Sequence, residues 1–130
     1  MTRYLATKKE LLDNVTFKVI RWEDFLKANI HFDNILFLSV FHHNLLKMGV
    51  DGAFKALERF RGKAYRLFFE SPLSSQKIGW LDQDGLSHKK DLYSFTEEEF
   101  KAKIETVTGY VVKDIWREGI RPIFVLEAIR

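Results

Sequence analysis

The segment Ile35-Leu36-Phe37-Leu38-Ser39-Val40-Phe41 is almost unbroken in apolar character. A strand with one wet face alternates apolar and polar residues, whereas a strand covered on both faces reads as a continuous apolar run. The run therefore predicts a strand inside a parallel sheet sandwiched by helices. A chain of 130 residues has room for one such sheet and one domain, spanning residues 1–130.

Composition agrees with a folded, water-facing domain. Hydrophobic residues make up 46% and charged residues 30%, and twelve Phe, three Trp and four Tyr supply bulky core material. No apolar run approaches the roughly 20 residues that a membrane-spanning helix needs. Cysteine is absent, which excludes disulfides, thiolate metal sites and thiol nucleophiles. The opening Met1-Thr2-Arg3-Tyr4-Leu5 lacks the apolar core of a secretory signal, so a cytoplasmic location is expected. The net charge is only +3 and basic residues are interspersed with acidic ones, which gives nucleic acid no priority as a partner.

Along the chain, helix-like and strand-like periods alternate. Residues Thr7 to Asp13 read as a short amphipathic helix, and Val15 to Ile20, β-branched and aromatic, as a strand. Glu23 to Ala28 suits a turn or two of helix. After the Ile35 strand, Asn44 to Phe60 reads as a helix with Gly49 and Gly52 as interruptions, and Ala64 to Glu70 as a third strand stopped by Ser71-Pro72. Leu73 to Leu92 has the composition of a long polar loop. Thr96 with Glu99 three residues later is a capping box, opening a helix that Gly109 closes. Tyr110 to Arg117 and Arg121 to Ile129, separated by Glu118-Gly119-Ile120, form a β-hairpin by spacing. The expected fold class is α/β: a mostly parallel sheet with helices on both faces and an antiparallel C-terminal hairpin.

Three stretches, Asn14-Val15-Thr16-Phe17, Trp22-Glu23-Asp24 and Phe32 through His43, together resemble the middle of a class I S-adenosylmethionine-dependent methyltransferase. Leu67-Phe68-Phe69-Glu70-Ser71-Pro72 is similar to that family's fifth strand, and the C-terminal helix and hairpin to its closing strands. The resemblance implies a partial Rossmann-like fold lacking the family's first two strands. Only thirteen residues precede Asn14, and none is glycine, so the glycine-rich turn and the ribose-binding carboxylate have no counterpart. It further implies S-adenosylmethionine as cofactor, Glu23 or Asp24 at the adenine end, and Leu38, Ser39, His42 and His43 near the methionine and methyl group.

Ligands of open α/β sheets bind beyond the carboxyl ends of the strands, which makes His42-His43 the candidate for chemistry. A neutral imidazole there would accept a proton from the methyl acceptor. The alternative is that one histidine caps the next helix while the other packs or faces water. Glu70 would border a small-molecule substrate pocket, or simply end its strand. No metal site is expected, because adjacent residues of an extended segment point to opposite sides.

The family's sheet order leaves a gap between the Val15 and Ile35 strands. Either the two pair directly, or a second copy pairs along the exposed edge and makes a homodimer, because an open apolar edge invites association. Two functions follow: a methyltransferase-like protein, fragment or shortened relative, and a non-catalytic interaction or oligomerisation module.

Overall fold

The computed structural model describes residues 14–70, 95–117 and 121–129. Its elements run α1 (Trp22–Phe25), β1 (Phe32–Phe37), α2 (Phe41–Ala56), a 3-10 turn (Leu57–Phe60), β2 (Ala64–Glu70), α3 (Glu97–Thr108), β3 (Tyr110–Trp116) and β4 (Ile123–Ala128). The strands form one sheet in the order β1-β2-β4-β3. β1 pairs with β2 in parallel, whereas β2 with β4 and β3 with β4 are antiparallel. The architecture is α/β as expected, but the sheet is mixed rather than mostly parallel. Its two interior strands are β2 and β4, the latter being the returning arm of the hairpin, so the hairpin is built into the sheet and is not an appendage to it.

Alternation along the strands separates two faces. Phe37, Leu67, Phe69, Phe124 and Leu126 belong to one buried cluster with Phe41, Leu45, Phe54, Leu57 and Phe60 of the α2 region and Phe100 and Ile104 of α3. The opposite face carries Leu36, Phe68, Val125 and Trp116, and Leu36 remains 68% exposed. Among the described residues α2 and α3 therefore cover one face. Phe100 is the hub of the buried side: it is fully buried, and its ring centroid lies 5.3 Å from Phe124, 5.8 Å from Phe69 and 6.0 Å from Phe54.

The signals at the ends of α3 operate as read. Thr96 accepts from the Glu99 N–H, the Glu99 carboxylate accepts from the Thr96 N–H, and Gly109 closes the helix with φ 75°. Arg61 donates from Nε to the Val107 carbonyl at 2.7 Å and from Nη2 to the Thr106 carbonyl at 2.8 Å, capping the negative end of the same helix. Buried Tyr110 joins three parts of the fold, because its hydroxyl accepts from the Ala64 N–H at 3.1 Å and donates to the Phe60 carbonyl.

Two of the expected elements are revised. Residues 15–20 form no strand, and Val19 is fully exposed. Apolar, β-branched sequence favours an extended chain, yet only a paired neighbour makes it a strand. The Ile35 strand begins earlier and ends sooner, at Phe37, and Phe41, His42 and His43 open α2 instead of closing the strand. The break is local: Ser39 adopts a left-handed conformation with φ 56°, which turns the chain from β1 into the helix. Gly49, with φ 76° and ψ 175°, interrupts α2 as its sequence suggested. The expected helix at Thr7 to Asp13 and the loop at Leu73 to Leu92 lie outside the described residues.

Candidate functional site at the carboxyl ends of β1 and β2

The parallel register sets Phe37 opposite Phe69, so β1 and β2 finish level with each other. Ser39, just beyond β1, thereby reaches Glu70 at the end of β2, and its Oγ donates to Glu70 Oε1 at 2.7 Å. The antiparallel register of β4 sets Ile123 opposite Glu70, which brings Arg121 to the same place from the other side. Arg121 Nη1 lies 3.5 Å from Glu70 Oε1, and both side chains are largely shielded. One carboxylate oxygen thus serves both a hydroxyl and a guanidinium, fixing the strained Ser39 turn to the sheet.

His42 and His43 stand on the first turn of α2, directly after that turn. Their ring centroids are 3.9 Å apart; His42 is buried and His43 exposed. Burial, and then the neighbouring His43 and Arg121, lower the His42 pKa from 6.5 to about 4. His42 is therefore neutral at physiological pH but a weak proton acceptor. Burial explains what sequence could not decide: the two adjacent imidazoles differ because one faces the core and the other faces out.

Glu23 and Asp24 diverge. Asn44, buried one turn into α2, donates from Nδ2 to Glu23 Oε1 at 3.3 Å, and Arg21 Nη2 lies 3.7 Å from the same oxygen. Asp24 is exposed and pairs instead with Lys27 at 3.3 Å. A cavity of about 380 Å³ is lined by Trp22, Glu23, Val40, His43, Asn44 and Lys47, among others. Asn44 Oδ1 and Trp22 Nε1 are buried without a hydrogen-bond partner among the described residues. An unmatched buried acceptor and donor are costly, so each is a position where a ligand's polar group would be welcome. The Trp22 ring itself is held by stacking on Phe60 at 5.2 Å and by an edge contact with Phe37 at 4.9 Å. Leu38, 38% exposed, lies between the two clusters in sequence, at the mouth of β1.

Ser39, His42, Glu70 and Arg121 are thus gathered at one end of the sheet, and Glu23, His43 and Asn44 line the adjoining cavity. Sequence reasoning passed over Arg121, Asn44 and Trp22. Arg121 was findable: an antiparallel strand entering beside β2 must begin where β2 ends. Asn44 and Trp22 carried no such signal, since their importance arises from burial. Among the described residues no helix is long and apolar enough to cross a membrane.

No family model matches the sequence, and a search of curated proteins returned no match. Solved structures do match. A crystal structure of monomeric WbdD superposes with a TM-score of 0.68 at 23% identity, covering 96% of this chain and 27% of that one. A structure titled as the bifunctional kinase-methyltransferase WbdD gives 0.66 at 21% identity, covering 97% of this chain and 26% of its own. The chain spans about a quarter of the length of these structures, 26–27%. At this level of identity the likeness is one of fold: an α/β arrangement that also occurs in a protein described as a kinase and methyltransferase.

Proposed function

We propose that the chain is a methyltransferase-like domain, lacking the first two strands of the class I fold, that contributes the adenine end and the acceptor side of an S-adenosylmethionine site. The observation that carries this reading is the pairing of Glu23 with Asn44 in a cavity at the carboxyl end of β1, beside the Ser39–Glu70–Arg121 cluster. The donor set fits the group in part. A carboxylate and an unmatched amide oxygen suit an exocyclic amine, and the unmatched indole N–H suits a ring nitrogen. The described residues supply no glycine-rich turn for the amino-acid moiety.

When bound, the cofactor supplies an electrophilic methyl carbon on a sulfonium. The chain is left with three tasks: holding the reactants in line, excluding water, and taking the acceptor's proton. Glu23 and Asn44 hold the purine end. Ser39 and Glu70, pinned by Arg121, shape the substrate side. His43, exposed and lining the cavity, is better placed than His42 to take a proton, because His42 is buried and its pKa of about 4 makes it a poor base near neutrality.

Calorimetric titration and thermal shift with S-adenosylmethionine and S-adenosylhomocysteine test this reading. Saturable heat and a rise in Tm are expected with either ligand. Glu23→Ala should weaken binding about ten-fold or more, in keeping with roughly 1.5–3 kcal/mol for a hydrogen bond to a charged group. Asp24→Ala, whose carboxylate faces Lys27, should leave the affinity unchanged. Neither heat nor stabilisation at millimolar ligand would remove the cofactor from the account.

A further inference from the structure

The strand that sequence marks as most apolar lies at the rim of the sheet. Phe32 donates its N–H to the Lys63 carbonyl at 2.7 Å, so by alternation Phe32, Asn34 and Leu36 direct their backbone groups toward β2. The N–H and C=O groups of Asp33, Ile35 and Phe37 point the other way, and no described residue pairs with them. Edge strands are ordinarily protected by lysine, proline or a bulge. β1 has none of these, and its single charged residue, Asp33, stands near its start.

A cleft of about 280 Å³ lies along this edge. Its floor is the consecutive run Asn34, Ile35, Leu36 and Phe37, contributed by both faces of the strand, and its wall includes Trp22 and Phe25. A cleft floored by both faces of one strand is shaped for another strand laid alongside it.

We propose that a second copy of this chain occupies the cleft, pairing β1 with β1 in antiparallel about a two-fold axis through Ile35. The register is self-complementary. With Ile35 opposite Ile35 and Asp33 opposite Phe37, every outward backbone group of both strands finds a partner, making about six hydrogen bonds. The single charge, Asp33, faces Phe37 of the other copy, which keeps the two carboxylates at opposite ends of the pairing and away from each other. The axis is perpendicular to the sheet, so both helical layers lie on one side and each Ile35 side chain enters the apolar cleft of its mate. The two four-stranded sheets become one of eight strands. This inference does not rest on the cofactor reading, and its test contains no cofactor.

Light scattering on the full chain should give twice the 15.4 kDa of one copy. Because the chain has no cysteine, single thiols report the register without background. In the proposed pairing Asn34 faces Leu36 of the other copy as a non-hydrogen-bonded pair, with Cα atoms about 4.5 Å apart and within disulfide reach. Both residues are exposed, so Asn34→Cys and Leu36→Cys should fold. An oxidised equimolar mixture of the two variants should cross-link the mixed dimers, roughly half of all dimers under random pairing, whereas each variant alone should cross-link several-fold less. A monomer at all concentrations would overturn the proposal. So would a dimer in which Leu36→Cys alone cross-links as well as the mixture, which indicates parallel or shifted pairing. A dimer with no cross-link in any combination would likewise overturn it, by placing the interface elsewhere.

Discussion

Phe100→Ala is expected to destabilise the protein by about 3–5 kcal/mol, the usual cost of deleting a fully buried phenylalanine. Phe100 is completely buried, and its ring meets those of Phe41, Phe54, Phe69, Phe95 and Phe124. These rings come from α2, β2, β4 and the segment leading into α3. These neighbouring rings are stiff and can collapse only partly into the space, so much of the cavity would persist. Single domains of this size are stable by only about 5–15 kcal/mol, so the variant should lose a large share of its stability. Urea unfolding reads the effect as a lower midpoint at unchanged slope. A loss below about 1 kcal/mol would mean that α3 is not held to the sheet by this residue.

The second large effect is a dependence of stability on pH that runs through His42. Burial, His43 and Arg121 hold its folded pKa at about 4, below the 6.5 of an unconstrained imidazole. At pH 7 neither state binds the proton appreciably. As the pH falls through 6.5 the unfolded chain takes up a proton that the folded chain refuses until about pH 4, and stability declines across that window. Between pH 7 and pH 5 the loss should be on the order of 1–2 kcal/mol. Unfolding curves at the two pH values, for the native chain and for His42→Gln, measure it by difference: the variant should lack this part of the decline. Arg121→Gln removes one of the three causes and should raise the His42 midpoint in an NMR titration. A midpoint near 6.5 in the native chain would place His42 in water and contradict its position beneath the β1 turn.

The readable and unreadable parts of the sequence divide along physical lines. The ends of α3 were legible because Thr96, Glu99 and Gly109 act on their own neighbours, through hydrogen bonds and a left-handed turn that need no tertiary context. The two arms of the hairpin were legible for the same reason. The Val15 segment was misread because its β-branched residues state only that the chain is extended, and the partner that would make it a strand is a long-range fact. The end of β1 was misplaced because Val40 caps α2 with no side-chain hydrogen bond, leaving nothing in the sequence to announce the helix. The mixed sheet followed from β4 entering between β2 and β3, which apolar runs cannot reveal. At the site, Ser39 and Glu70 could be nominated singly, but their meeting depends on the Phe37–Phe69 register, and Arg121 joins them only through the antiparallel β4.

The proposed cofactor site lies at the carboxyl ends of β1 and β2 with the first turn of α2. Amide and indole NMR shifts recorded while S-adenosylhomocysteine is added test it most directly. Saturable movement is expected for the Trp22 indole N–H and for the amides of Glu23, Ser39, His43 and Asn44, with the outer hairpin residues Val111 and Lys113 unmoved. No movement at millimolar ligand, or movement confined to the hairpin, would contradict it.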